Sequence, residues 1–278
     1  QTVNFNQLNL QNLMALWQAY GAQSSSPTNE VMLYNHTLWP KKSWFTATNG
    51  QFINLDELTL EQRQYWLNNV QSNTAVPVIS ALNTQLNTSN IPDNKITDLL
   101  GHQWQYKSTQ VAMYMHVESA PKQQLVERDE LVLTNVTSTA DIQAWIDVCY
   151  DSFGYQIDAD VVSSLLTNNQ VKLVLVLCHD KPCATGLLFK TGTTVGVHQV
   201  SVSPSLQGQG IAKWLMINLL NQSVDWQAEN IVLQASTMGK PLYDKLGFKE
   251  QFFINNYQKI TKITEIIKIK KYQEITIY

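Results

Sequence analysis

At 278 residues the chain exceeds one typical domain, and its 44% hydrophobic content is enough for a sizeable core. A formal net charge of −3 argues against a nucleic-acid partner, which would need a broad basic face. Three cysteines, Cys149, Cys178 and Cys183, are too few and too unevenly placed for a disulfide framework, so a reducing cytoplasm is the expected compartment.

The chain opens on a helical stripe, Leu13, Leu16, Trp17 and Tyr20, within Leu10 to Tyr20. Gln23 to Asn29, rich in Ser and Pro, reads as loop, and a short strand follows near Val31 to Tyr34. Leu38 to Phe45 is aromatic and irregular. Thr59-Leu-Glu-Gln62 has the capping-box form and starts a helix reaching about Gln71. Ala75 to Ala81 reads as strand and Asn83 to Asn94 as polar loop. A short helix, Asn94 to Leu100, stops at Gly101, and Ser108 to Val117 reads as a long strand. Five of the eight tryptophans (Trp17, Trp39, Trp44, Trp66, Trp104) fall here and belong to a core by type; Trp39 and Trp44, flanking Pro40, are the pair able to line a pocket.

Ala120 to Asp129, charged and proline-containing, reads as a linker. A strand, Leu131 to Val136, leads to a helix, Ala140 to Phe153, capped by Ser138 or Thr139 and stopped by Gly154. Its buried stripe is Ile142, Trp145, Ile146 and Cys149. A helix at Ala159 to Leu166 precedes a hairpin of Lys172 to Cys178 with Ala184 to Phe189. Between its arms, Cys178-His-Asp-Lys-Pro-Cys183 lacks four-ligand spacing and reads as a turn with a thiol on each flank, so no metal is expected. No signal peptide is visible, and no apolar run, that at Val174 to Cys178 included, is long enough to span a bilayer, so no membrane partner is expected.

Val195 to Ser203 is a β-branched, alternating run that Pro204 ends. Gln207-Gly208-Gln209-Gly210-Ile211-Ala212 follows, and from Ile211 the spacing becomes helical, with Ile211, Leu215 and Leu219 on one stripe. Strand, glycine turn, helix presents free backbone N–H groups at the positive end of a helix, a setting suited to a phosphate. Lys213 stands where the Rossmann fingerprint needs a further glycine, and no Gly-Lys-Ser/Thr closes a P-loop. A strand at Ile231 to Ala235, a helix at about Lys240 to Leu246 and a strand from Phe248 follow. The last twenty residues, Lys259 to Tyr278, hold seven isoleucines and five lysines in no single period and are set aside from the fold as low-complexity tail.

This loop resembles the pyrophosphate loop of the GNAT superfamily of acyl-CoA-dependent acyltransferases. The family pattern is Gln/Arg-x-x-Gly-x-Gly/Ala after a strand ending near Val-x-Pro, matched by Val202, Pro204, Gln207, Gly210 and Ala212. A second match, Gly239-Lys-Pro-Leu-Tyr243-Asp-Lys-Leu-Gly247-Phe248, resembles the family's last helix, with its tyrosine and its Leu-Gly-Phe ending. The resemblance covers roughly residues 130 to 258. It implies a mixed α/β fold: a GNAT-like central mixed β-sheet flanked by helices in residues 126–258. A smaller α/β domain, 1–125, would precede it. The ending of that first part at Gly101 echoes the one at Gly247 and suggests a degenerate, partial copy of the same fold.

Acyl transfer from a thioester to an amine needs a neutral nucleophile, stabilisation of the oxyanion, and a proton for the leaving thiolate. The resemblance implies direct attack in a ternary complex with acetyl-CoA. It assigns the oxyanion to a backbone N–H near Val200 and the pantetheine arm to the main chain of Val202. The phosphates go to Gln207, Gly208, Gln209, Gly210, Ile211 and Ala212. His198 is the candidate base, on a face expected to carry residues 198, 200 and 202; the alternative is a half-buried strand histidine bonded to a neighbour. Some members have a second histidine two residues earlier, where Gly196 stands here. Tyr243 matches the family's thiolate-protonating tyrosine, the alternative being a tyrosine packed on the sheet. Ser236 replaces an asparagine that touches pantetheine in many members.

Two functions remain in view: an acetyl-CoA-dependent N-acetyltransferase acting on a small-molecule or peptide amine, and a non-catalytic CoA-binding or sensing module. A homodimer is compatible with either.

Overall fold

The computed structural model describes residues 4–82, 94–119 and 122–260. Most of the expected polar loop (83–93) and the tail beyond Ile260 lie outside the described residues. The chain runs α1 (Phe5–Ala19), β1 (Gln23–Thr28), β2 (Val31–Asn35), β3 (Ser43–Ala47), β4 (Phe52–Ile53), α2 (Leu60–Asn69), β5 (Ala75–Ala81), α3 (Asn94–Leu100) and β6 (Trp104–His116). It continues β7 (Leu131–Asn135), α4 (Thr139–Phe153), α5 (Ala159–Leu165), β8 (Val171–Cys178), β9 (Lys181–Thr191), β10 (Thr194–Val202), α6 (Ile211–Asp225), β11 (Asn230–Ala235), α7 (Lys240–Leu246) and β12 (Lys249–Lys259).

These elements gather into two compact units that interleave along the chain, rather than following one another as the sequence division has it. One draws on Gln1–Gly21, Leu38–Pro40 and Val111–Gln251; the other on Ala22–Thr37, Lys41–Gln110 and Phe252–Tyr278.

In the second of these units, β1 to β4 form an antiparallel sheet in that order. Gln23–Thr28, read as loop, is its edge strand. An edge tolerates proline, which has no N–H to give a neighbour, and the register shifts between Ser25 and Thr28. Ser43–Ala47, within the stretch read as irregular, is β3, with Ser43 to Thr46 buried. Residues 252–258 of β12 pair antiparallel with β5. The core is aromatic: Trp66 meets Phe45 edge-on at 5.2 Å and Trp104 at 5.0 Å. Its indole N–H donates to Ser43 Oγ at 2.8 Å, which removes the cost of burying it. Trp44 is fully buried and stacked on Tyr34 at 4.9 Å, so it is core and not pocket lining.

In the other unit a mixed sheet has the order β6-β11-β10-β9-β8-β7. All neighbours are antiparallel except β10 and β11, which are parallel and are joined by the crossover helix α6. On one face Val174, Val176, Leu188, Val195, Val197, Ile231 and Leu233 close on Leu215 and Leu219 of α6. Each such side chain, fully buried, contributes about 1.5–3 kcal/mol. The other face is covered by α4 and by α1, so the N-terminal helix belongs to this unit and starts at Phe5, earlier than its stripe suggested. The β8–β9 hairpin turns at His179 and Asp180, both at positive φ (48° and 62°), the backbone a two-residue hairpin loop requires. Among the described residues no helix is long and apolar enough to cross a membrane.

Candidate active site

The site begins where β10 leaves β11. Their parallel pairing ends at Gly196–Val232, although β10 runs on to Val202 and β11 to Ala235. On its other side β10 carries a bulge: three steps from His198 to Ser201 oppose two steps from Leu187 to Thr185. Gln199, in the bulge, sits at φ 51°, unusual for a residue with a Cβ. Thr185, wholly buried, holds this shape, its hydroxyl donating to Gln199 O at 2.7 Å and meeting Ser201 Oγ at 2.6 Å.

The extra residue also breaks the expected alternation. His198 and Ser201 lie on the α1/α4 face, whereas Val202 joins the α6 core, so residues 198, 200 and 202 do not share a face. Ser203 N–H donates to Cys183 O at 2.8 Å. By the alternation of an antiparallel ladder, Val202 then points its N–H and C=O away from β9, into the opening beside β11. The Gln207 side chain donates to that Val202 carbonyl at 3.1 Å, tying the glycine loop to the strand.

In the loop, Gly208 and Gly210 both sit at φ 79°, the left-handed region that glycine enters without strain. Gly210 caps α6, and no side chain bonds the helix end. The first turn of α6, starting at Ile211 and Ala212, therefore keeps the unspent N–H groups that such an end leaves. Arg128, which sequence reasoning missed, reaches this loop from 81 residues away: Nη1 donates to Gln209 O at 2.8 Å. Its Nε and Nη2 donate to Glu130 Oε1 at 2.8 and 2.6 Å. Three of five guanidinium hydrogens are thereby used, and two remain for an anion. Nη1 lies 3.7 Å from where a Gly210 Cβ would be.

Tyr243 stands on α7, its ring edge-on to Phe248 at 6.0 Å. A Cβ on Gly239 would come within 3.1 Å of that ring, so the glycine makes its close packing possible. The hydroxyl has no hydrogen-bond partner among the described residues, and burial pushes its pKa up to about 12. Ser236 Oγ accepts from Gly239 N–H at 3.1 Å and so finishes the entry to α7. Val200, Ala212 and Tyr243, far apart in sequence, all pack against the one α6-side core cluster.

His198 is placed differently. It is buried, with Nε2 3.3 Å from Asn12 Oδ1 of α1. Asn12 Nδ2 donates to Phe189 O and Thr191 Oγ1, so its Oδ1 accepts and the proton sits on His198 Nε2. Desolvation lowers the His198 pKa to about 4, against a smaller upward pull from a bond with Gln234. A Cβ at Gly196 would meet Asn12 Oδ1 at 2.0 Å and His198 Nε2 at 2.3 Å. The space that any side chain at position 196 would need is occupied here by this Asn12–His198 bond.

Known proteins resemble this chain in fold and in one domain. Residues 133–259 match the family model described as the acetyltransferase (GNAT) domain. Solved structures of similar fold include a GCN5-related N-acetyltransferase from Kribbella flavida, at TM-score 0.63 and 13% identity, covering 90% of this chain and 94% of that one. Another, from Sphaerobacter thermophilus, has TM-score 0.60 and 12% identity over 89% and 84% of the two chains. A conserved protein of unknown function from Staphylococcus epidermidis has TM-score 0.58 and 11% identity over 87% and 96%. No curated protein matches the chain in sequence. The segment 133–259 is a GNAT acetyltransferase domain.

Proposed function

We propose that the protein transfers an acetyl group from acetyl-CoA to the amine of a small-molecule or peptide acceptor, by direct attack with both substrates bound. The observation that carries this reading is the uncapped N-terminus of α6 behind two left-handed glycines, opposite a strand freed from its neighbour. A diphosphate fits there on physical grounds: the glycines leave room for it, the N–H groups of Ile211 and Ala212 are unspent, and Arg128 adds charge and two donors. Acetyl-CoA would supply the acyl group as a thioester. The pantetheine arm would run along β10 at Val200 and Val202, and the main-chain groups of Val202 face the opening.

In the overall reaction the amide C–N bond forms, the C–S bond breaks, the amine loses one proton and the thiolate gains one. An N–H of β10 near Val200 would stabilise the negative charge developing on the acyl oxygen. Tyr243 would donate a hydrogen bond to the departing sulfur. With its pKa near 12, above a thiol's ordinary value of about 8.5, it is a better hydrogen-bond donor than outright acid. His198 we read as positioning α1 against β10 rather than as the base. It is neutral at pH 7, but with a pKa near 4 it holds a proton weakly, and its Nε2 is engaged by Asn12.

The test is release of free thiol from acetyl-CoA on addition of a panel of amines, with the acetylated amine identified by mass. Acetyl-amine formed in step with thiol supports the reading. CoA binding without turnover across the panel would point to a sensing module instead.

A further inference from the structure

We propose that the acceptor amine carries a flat aromatic body, held against the Phe153–Tyr155 ring stack and hydrogen-bonded by the Tyr20 hydroxyl and the Gln199 side-chain amide. This rests on the acyl-transfer reading above and names its acceptor class.

The groups converge on the β10 bulge from three segments distant in sequence. Tyr155 donates its hydroxyl proton to Gln199 Oε1 at 3.3 Å, and Gln199 is the bulge residue immediately before Val200. Phe153 stacks on Tyr155 at 5.4 Å and 7°, and the two rings are 39% and 42% exposed, leaving aromatic surface for a ligand. Tyr20, at the end of α1, packs on Trp39 at 4.8 Å and is only 5% exposed. Its hydroxyl nonetheless has no hydrogen-bond partner among the described residues, and neither do the Gln199 side-chain N–H groups. The Tyr20 hydroxyl and the Gln199 amide thus keep hydrogen-bonding capacity that a ligand lying on the Phe153–Tyr155 rings can use.

The electrostatics select among amines. The groups acting on Tyr20 and Tyr155 are each other and the Cys149 thiol, whose pKa burial pushes up to about 12, so all three are uncharged at pH 7. Neutral tyrosine and aromatic surface of this kind favours an acceptor with a flat apolar body over a flexible polyamine or a small aliphatic peptide.

Tyramine, spermidine and trialanine serve as probes, each titrated by calorimetry into the full protein with CoA present. Tyramine has an aromatic body and a polar group at either end. It should bind at least about tenfold tighter than the other two, on the scale of one well-packed aromatic contact with a hydrogen bond. Tyr155→Ala, at an exposed position, should weaken tyramine by about fivefold or more, and Tyr20→Phe by about threefold, with CoA affinity unchanged. Spermidine or trialanine binding as tightly as tyramine would overturn the proposal, as would unchanged tyramine affinity in both variants. Failure of the wild-type protein to bind CoA would instead defeat the acyl-transfer reading, and tyramine binding without CoA would then judge the aromatic site separately.

Discussion

The helices α4 and α6 are each 15 residues long and pack on the same sheet, yet their N-termini are finished in opposite ways. At α4, Ser138 Oγ accepts from Asp141 N–H at 3.1 Å. Asp141 Oδ2 accepts in return from the N–H groups of Ser138 and Thr137, at 2.9 and 3.0 Å. These bonds hold the Asp141 carboxyl below its usual pKa. At α6 the cap is Gly210, with no side chain to offer. A good cap contributes about 1 kcal/mol, so α6 gives up stability that α4 keeps. The difference teaches where to look for a ligand: at the helix end whose donors remain unspent, not at the one that satisfies itself.

The largest expected effect comes from filling the open end. Ala212→Asp places a carboxylate in the first turn of α6, which suits the helix dipole and should hold or raise the melting temperature. It should also repel a diphosphate, weakening CoA by about a hundredfold or more in calorimetry, roughly 3 kcal/mol of charge repulsion in a confined site. Loss of CoA binding together with a lower melting temperature would mean that the fold, not the charge, was responsible.

A pH series examines a polar group that is already spent. His198 has a folded pKa near 4 against an ordinary 6.5, so the folded state disfavours its protonation. Its contribution is complete above pH 6.5 and is lost as pH falls from 6.5 towards 4. Over that window it amounts to roughly 3 kcal/mol at most, from a shift of about 2.5 units. Urea melts of the wild type and of His198→Gln should diverge in slope across that range, the variant losing less. Parallel slopes would remove His198 as the buried neutral anchor of α1.

Tyr243→Phe keeps the ring packing against Phe248 and Gly239 and removes a hydroxyl with no protein partner. CoA affinity should hold while kcat falls roughly ten- to a hundredfold, the range for a hydrogen bond made to a leaving group. A loss under about twofold, with chemistry limiting, would pass the role to water. The smallest effect belongs to the closed end: Ser138→Ala should cost about 1 kcal/mol, a fall of about 2–4 °C in Tm, and leave CoA binding alone.

What was legible in the sequence follows from range. The α4 cap at Ser138, the glycine loop and Tyr243 are local patterns, and each is where its spacing put it. Local propensity misled where tertiary context decides. Gln23–Thr28 is polar and contains proline, yet an edge strand accepts it. The β10 bulge lies where Val-His-Gln-Val-Ser-Val breaks step, two polar residues in a row shifting the valines from 197 to 200, and the pairing with β9 shows the extra residue there. That slip moved His198 off the face assigned to it. Arg128 and Asn12 lie 81 and 186 residues from Gln209 and His198, beyond any periodicity argument. Arg128 sits in a stretch read only as linker, and nothing local marks it as facing the loop.

The most direct measurement of the central claim is amide hydrogen exchange at residues 208–213 and 137–141, with and without CoA. The account predicts that CoA slows exchange at Gly208, Gly210, Ile211 and Ala212 and leaves the α4 end, already bonded to Ser138 and Asp141, unchanged. Unaltered exchange at the α6 end in protein saturated with CoA would contradict it, because those N–H groups would then not be what holds the phosphate.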